Sequence, residues 1–141
     1  MPIVSWHSFE DVSAYNKTLA VALQAAAESA LEEHGELLGV WLFGSRARED
    51  VGPRSDVDLF LLATRVAPRM MDRVLDYQEL LGQIQAPVDL IVLTPTELDE
   101  LHQEPFYRQL LRDAKPLACR DSASIPPELP RNISPALSEK T

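Results

Sequence analysis

LFGSRAREDVGPRSDVDLF, residues 42–60, is the stretch of sequence that decides the fold. It begins at the end of an apolar run, residues 37–43, which breaks at Gly44, and it ends in a second apolar run, residues 59–63. Short apolar runs bounded by turn residues are typical of buried strands. The stretch therefore predicts two neighbouring strands of one sheet, joined by a turn and a polar loop.

The two ends of this stretch carry complementary chemistry. Side chains alternate between the faces of a strand, so Asp56 and Asp58 share one face about 7 Å apart and repel each other unless a cation lies between them. Ser45 is a favourable N-cap for a helical turn, and the free backbone N–H groups of such a turn bind anions. One end thus offers ligands for a hard metal ion and the other offers donors for phosphate, as a metal–nucleotide complex requires.

Gly44-Ser45, followed after ten residues by Asp56-x-Asp58, resembles the signature of the nucleotidyltransferase superfamily that shares its fold with DNA polymerase beta. The surrounding sequence is most similar to the minimal nucleotidyltransferases, or MNT domains, which are often encoded beside HEPN proteins as toxin–antitoxin pairs. The resemblance covers roughly residues 19–117, and Asp89, at the start of a later apolar run, stands where the family has its third carboxylate. One position departs from the family pattern: Glu49 stands where a glycine is usual.

The resemblance implies a magnesium-dependent enzyme that uses a nucleoside triphosphate. Two Mg²⁺ ions would be held by three carboxylates that also form the catalytic centre, namely Asp56, Asp58 and Asp89. The nucleotide would be bound by the residues at the turn, namely Gly44, Ser45, Arg46 and Arg48. The two arginines suit this role because a planar guanidinium pairs bidentately with phosphate oxygens, and the less favoured alternative is that both are solvated surface residues.

For a small domain of this kind, the resemblance implies transfer of a nucleoside monophosphate, AMP from ATP, to a hydroxyl of a HEPN-type toxin. The chain would then be an antitoxin that acts by AMPylation, and an oligomer could form through that partner. Two alternatives stay open: a non-catalytic antitoxin that acts by contact, and an adenylyltransferase acting on a small molecule. The three aspartates favour catalysis. The charge of Glu49 favours contact, because a carboxylate near triphosphate oxygens is electrostatically unfavourable.

The order of elements predicts an α/β (α+β) fold with a central mixed sheet flanked by helices. About twelve residues join the first two strands. A parallel crossover of that length would be tight, so these strands should be antiparallel. The strand–helix–strand unit that follows predicts a parallel pair. The nucleotidyltransferase domain is expected over residues 1–119. Residues 120–141, rich in proline and serine, are expected to form a disordered tail because they carry few large apolar side chains.

Charge and composition narrow the partners. The net charge is −9, from 22 acidic and 13 basic residues, and such a surface repels nucleic-acid backbones, which argues against broad nucleic-acid binding. A neutral or basic protein suits it better as a partner. The single cysteine, Cys119, cannot form an internal disulfide. With no apolar run long enough for a membrane span and no signal-peptide pattern, we expect a cytoplasmic protein that does not enter membranes.

Overall fold

The chain folds into a four-stranded sheet between two layers of helices and loops. The computed structural model describes residues 9–44, 46–47, 56–84 and 86–132, with side chains from Lys17 onward. The elements, in chain order, are α1 (Phe9–Glu33), β1 (Leu37–Phe43), β2 (Val57–Ala63), α2 (Met70–Asp76), α3 (Gln78–Gly82), β3 (Val88–Leu93), α4 (Pro95–Leu101), α5 (Pro105–Asp113) and β4 (Lys115–Cys119). In the part of the chain that is described, no helix has the length and apolar character needed to cross a membrane.

The sheet is mixed, as the sequence predicts. Its strand order is β3-β2-β1-β4. β1 is antiparallel to both β2 and β4, whereas β2 and β3 run parallel. The predicted fold class and the directions of the first three strands are therefore confirmed.

Each face of the sheet buries its own apolar cluster. On one face the alanine-rich side of α1 packs closely, with Ala26, Ala27 and Ala30 all buried against strand residues such as Val40 and Leu59. The opposite face, here called the Trp41 face, carries Trp41, Phe60, Leu62 and Leu93 and is covered by α4, α5 and the segment after β4. In β2 and β3, alternate residues supply the two faces, as the two-residue period of a strand requires.

Apolar residues recur at helical spacing from Met70 to Ile84 and predict one continuous helix to about Gln85. The structure instead has two helices in this stretch. α2 ends at Asp76 and α3 begins at Gln78, with Tyr77 between them in a non-helical conformation (φ −114°, ψ 25°). The Tyr77 ring lies 4.7 Å from the ring of His34, and its hydroxyl donates a 2.9 Å hydrogen bond to Glu36 Oε2. These contacts draw Tyr77 into the core, which explains why the helical periodicity does not continue through it.

Thr94-Pro-Thr-Glu97 has the sequence pattern of a capping box, which predicts a helix start, and the structure confirms it at the start of α4. The Thr94 hydroxyl accepts from the backbone N–H of Glu97 at 3.1 Å, and Glu97 Oε1 accepts from the backbone N–H of Thr94 at 2.9 Å. The Glu97 carboxylate also takes a bidentate ion pair from Arg73, at 2.9 and 2.8 Å. Arg73 in turn donates to the carbonyls of Ala67 and Val92, so one buried guanidinium joins α2, β3 and α4.

The expected disordered tail is wrong for residues 120–132. β4, which was not predicted, pairs with β1, and the chain beyond it buries Ile125 and Leu129 against the Trp41 face. The indole N–H of Trp41 donates to the Pro130 carbonyl at 2.7 Å. The composition suggested that the entropy cost of ordering this segment would exceed the gain from burial. The burial of a few apolar side chains offsets that cost. Residues 133–141 lie outside the described residues.

Candidate active site

The C-terminal end of β1 and the N-terminal ends of β2 and β3 lie side by side and bring two of the predicted carboxylates together. Asp58, on β2, is the register partner of Asp89, on β3, and on its other side it faces Phe43, the last residue of β1. Neighbouring strands lie about 4.8 Å apart, so these two aspartates are side by side. Asp58 lies an even number of residues from Phe60 on β2, and Asp89 lies an even number from Leu93 on β3. Both aspartates therefore point to the Trp41 face.

Gly44 completes this edge. Its φ of +76° is a conformation that favours glycine. A Cβ added at this position would overlap Asp58 Oδ2 and would lie 3.2 Å from Asp58 Cγ. The chain therefore turns away from β1 with its backbone directly against the Asp58 carboxylate, which only a residue without a side chain allows.

These groups open into a pocket of about 460 Å³, within the size range of small-molecule sites. The strands contribute Phe43, Gly44, Asp58, Asp89 and Ile91, and α5 contributes Phe106, Gln109, Leu110 and Asp113. The pocket has a carboxylate-rich floor and a wall that is part aromatic and part polar.

The α5 wall was missed by the sequence analysis. Helical spacing placed Phe106 with Leu110 and Ala114 on the apolar side of α5, and Leu110 and Ala114 are indeed buried. Phe106 is 53% exposed and lines the pocket instead. Gln109 and Asp113 follow it at helical spacing on the same face. A pattern of Phe, Gln and Asp on one helix face is the signal that could have pointed to this wall.

The remaining predicted residues lie elsewhere or outside the described part. Asp56 is exposed, immediately precedes β2 and does not line the pocket. Arg46 is half-buried two residues after Gly44. Ser45, Arg48 and Glu49 lie outside the described residues. The structure thus brings together Gly44, Asp58 and Asp89 from the predicted set.

Residues 26–123, most of the chain, match the family model described as "Polymerase beta, Nucleotidyltransferase". The chain belongs to this nucleotidyltransferase family. The resemblance noted from Gly44-Ser45 and the paired aspartates is therefore confirmed at the level of the family. Among curated proteins, no sequence matches this one significantly.

Two solved structures are similar to this nucleotidyltransferase. A protein of Sulfolobus solfataricus, classed as a candidate nucleotidyltransferase, has a TM-score of 0.61 at 20% identity, over 86% of this chain and 98% of its own. A toxin–antitoxin structure containing AMP-PNP has a TM-score of 0.47 at 18% identity, over 70% of this chain and 71% of its own. The similarity to the Sulfolobus solfataricus structure supports the fold of this nucleotidyltransferase, and at 20% identity it gives no information on substrate or partner.

The side chains at the nucleotidyltransferase pocket suit a hard divalent cation. Asp58 and Asp89 offer carboxylate oxygens from adjacent strands, and Mg²⁺ prefers one or two carboxylates supplemented by water and substrate phosphates. Both carboxylates line the pocket of about 460 Å³, which has room for an ion with its water ligands. The donor set and the space therefore fit the metal that the family implies.

A second group of possible ligands lies near the opposite end of β1. Ligand atoms of Glu33, His34 and Glu79 all lie within 4.8 Å of one another. The hydrogen bond between the carboxyl groups of Glu33 and Glu79 raises the pKa of Glu33. The sequence predicts a structural or surface role for His34, because no other His or Cys lies at metal-ligand spacing from it. Its ring contacts Tyr77 and its Nδ1 lies 3.5 Å from Glu36 Oε2, in agreement with that role.

Proposed function

We propose that this protein is a magnesium-dependent nucleotidyltransferase that transfers AMP from ATP to a hydroxyl group of another protein. The observation that carries the proposal is the register pairing of Asp58 with Asp89, directly beside the glycine turn that ends β1. Membership of the nucleotidyltransferase family supplies the reaction class. The ATP, the metal and the protein acceptor are the parts that the proposal adds.

In this reaction the acceptor oxygen forms a bond to the α-phosphorus, the bond from that phosphorus to the bridging oxygen breaks, and pyrophosphate leaves. Bound Mg²⁺ would neutralise charge on the phosphates and lower the pKa of the acceptor hydroxyl. Asp58 and Asp89, with Asp56 at the edge, would hold two such ions. Asp89 would also accept the proton of the acceptor hydroxyl. Such groups mainly position the reactants and balance charge.

The turn after β1 would hold the triphosphate. Gly44 allows the phosphates to approach the backbone closely. The Ser45 hydroxyl would donate to a phosphate oxygen, and Arg46 and Arg48 would pair with phosphate charge. This division places the phosphates toward the turn and leaves the α5 wall for the rest of the nucleotide.

We assign the acceptor to a HEPN-type toxin, so that the chain acts as its antitoxin. The similarity to minimal nucleotidyltransferases supports this assignment and implies that the toxin is an RNase. The net charge of −9 supports it too, because an RNase is basic where it binds RNA. Within the described residues, the walls of the pocket come from one sheet edge and one helix. A docked protein surface could complete them and exclude water from the reaction.

The test is a transfer assay with the protein encoded beside this one. Labelled nucleoside triphosphates and Mg²⁺ are incubated with both proteins, and the partner is analysed by mass spectrometry. We expect a nucleoside-monophosphate addition that is lost in Asp58→Asn and kept in Asp121→Asn, a change at an exposed aspartate outside the pocket. An unmodified partner that is still silenced by Asp58→Asn would establish inhibition by contact and refute the transfer.

A further inference from the structure

Phe106 is a large apolar side chain that the fold holds in a partly exposed position at the pocket. Its ring is nearly perpendicular to two neighbours, with centroids 6.2 Å from Phe43 at 88° and 5.0 Å from Tyr107 at 86°. Edge-to-face contacts of this kind fix the plane of a ring. More than half of Phe106 nevertheless remains exposed, at 53%. The pocket wall therefore contains a pre-oriented aromatic surface that the core does not use.

Gln109 lies one turn further along the same helix face and is itself held in place. Its Nε2 donates a 2.9 Å hydrogen bond to Asp113 Oδ1. Because an ionised carboxylate can only accept, this bond fixes which end of the amide is nitrogen and which is oxygen. A side-chain amide carries a further N–H and an acceptor oxygen, a pair that can bind the edge of a nucleobase.

Charge indicates which part of a nucleotide belongs at this wall. Asp58, Asp89 and Asp113 all line the pocket, and the carboxylate on α5 would repel phosphate. A neutral heteroaromatic ring carries N–H donors that a carboxylate and an amide can accept. The phosphates are thus directed to the glycine turn and the ring to α5.

We propose that α5 is the nucleobase-binding wall of this site, with Phe106 stacking on the base and Gln109, oriented by Asp113, binding its edge. The inference rests on the proposed function and adds to it the part of the pocket that recognises the base. Phe106 and Gln109 would be contact residues, and Asp113 would be a positioning residue.

The test separates the base from the phosphates. Wild type, Phe106→Ala and Phe106→Leu are titrated with ATP and with inorganic tripolyphosphate, each with Mg²⁺. Since replacing a stacking aromatic side chain by alanine costs a factor of about 5 to 150 in affinity, Phe106→Ala should lose roughly that factor for ATP. Phe106→Leu should lose a smaller factor for ATP, because it keeps an apolar contact without stacking, and both variants should keep wild-type affinity for tripolyphosphate. Met71→Ala, at an exposed apolar residue of α2 that does not line the pocket, is the control and should match wild type for both ligands.

Gln109→Ala tests the edge contact. We expect it to reduce the spread of affinities among the four nucleoside triphosphates while tripolyphosphate binding is unchanged. Asp113→Asn should reduce the spread in the same direction, because an amide at position 113 no longer fixes the orientation of Gln109. If both variants keep the wild-type range of affinities among the four nucleoside triphosphates, Gln109 does not bind the edge of the base.

The outcomes distinguish this inference from the proposed function. If wild type binds and transfers nucleotide but the Phe106 variants bind ATP normally, α5 is not the base wall and the proposed function stands. If ATP binding is unchanged and only transfer to the partner protein falls, Phe106 contacts the acceptor, and the inference is again wrong. If wild type binds neither ATP nor tripolyphosphate, the proposed function fails and the inference fails with it.

Discussion

The backbone of Gly44 lies so close to the Asp58 carboxylate that no side chain fits between them. A Cβ at residue 44 would overlap Asp58 Oδ2, and the φ of +76° would strain any other residue. Gly44→Ala should therefore displace Asp58 and reduce transfer at least about 100-fold, the effect expected when a catalytic group is displaced by about 1 Å. Gly35→Ala is the matched control, because nothing lies within 4 Å of its added Cβ. Equal activity of the two variants would show that the approach of Gly44 to Asp58 is irrelevant to function.

Asp58 and Asp89 are expected to act as one unit. Residues that act together in one catalytic centre show strongly non-additive losses when they are removed. We predict that Asp58→Asn and Asp89→Asn each abolish most of the transfer, and that the double variant is little worse than either single variant. Single-turnover rates of all three proteins measure this. Multiplicative losses would show that the two carboxylates work independently.

The ion pair between Arg73 and Glu97 should make stability depend on pH. The hydrogen bonds from Arg73 hold the pKa of Glu97 below its usual range. The folded state therefore gains from the ionised carboxylate above the unfolded pKa, near 4.3, and loses this gain as pH falls through the lower folded pKa. Glu97→Gln should lower the free energy of unfolding at pH 7 by about 1–2 kcal/mol, an amount reduced from that of a fully buried pair because Glu97 is 32% exposed.

Urea denaturation at several pH values checks this prediction. The difference in the free energy of unfolding between wild type and Glu97→Gln should decrease as pH falls from 5 toward 3. Glu100→Gln, an exposed residue of the same helix, should behave like wild type throughout. A difference that stays constant with pH would mean that the charge of Glu97 contributes nothing and that only its capping hydrogen bonds matter.

The segment after β4 should contribute to global stability. Leu129 is 2% exposed against the Trp41 face, so Leu129→Ala should cost about 3 kcal/mol through lost burial and the cavity that remains. Leu75→Ala, at a leucine that is 53% exposed, should change stability by less than about 0.5 kcal/mol. Chemical denaturation of both variants measures the contrast. If the two changes have equal effects, the segment does not belong to the cooperative core.

Much of the fold could be predicted because its signals are local. The apolar runs at residues 37–43 and 88–93 give the bounds of β1 and β3, and the Thr94–Glu97 pattern gives the start of α4. The short connection between the first two strands, residues 44–56, correctly predicts that they are antiparallel. In each case the signal that decides the prediction lies within one short stretch of the sequence.

The features that were missed depend on contacts between distant residues. β4 was not predicted because Lys115-Pro116 resembles a helix terminator, yet proline is tolerated there since β4 is an edge strand. Nothing local to Leu129 shows that it is buried on the Trp41 face, and nothing local to Phe106 shows that it lies beside Phe43 at a pocket. At the candidate site, the aspartates and Gly44 were identifiable because of their spacing, whereas the α5 wall requires the folded arrangement.

The late position of β4 has a consequence for synthesis on the ribosome. β1 lies between β2 and β4 in the sheet, but β4 follows it only after residues 44–114 have been made. Throughout that interval one edge of β1 is unpaired and the Pro130 carbonyl that receives the Trp41 indole N–H does not yet exist. Unpaired edges beside apolar side chains promote aggregation of nascent chains. Truncated chains that stop before residue 132, or slow translation over residues 44–114, should therefore favour inclusion bodies, whereas fusions placed beyond residue 132 leave the closure of the sheet intact.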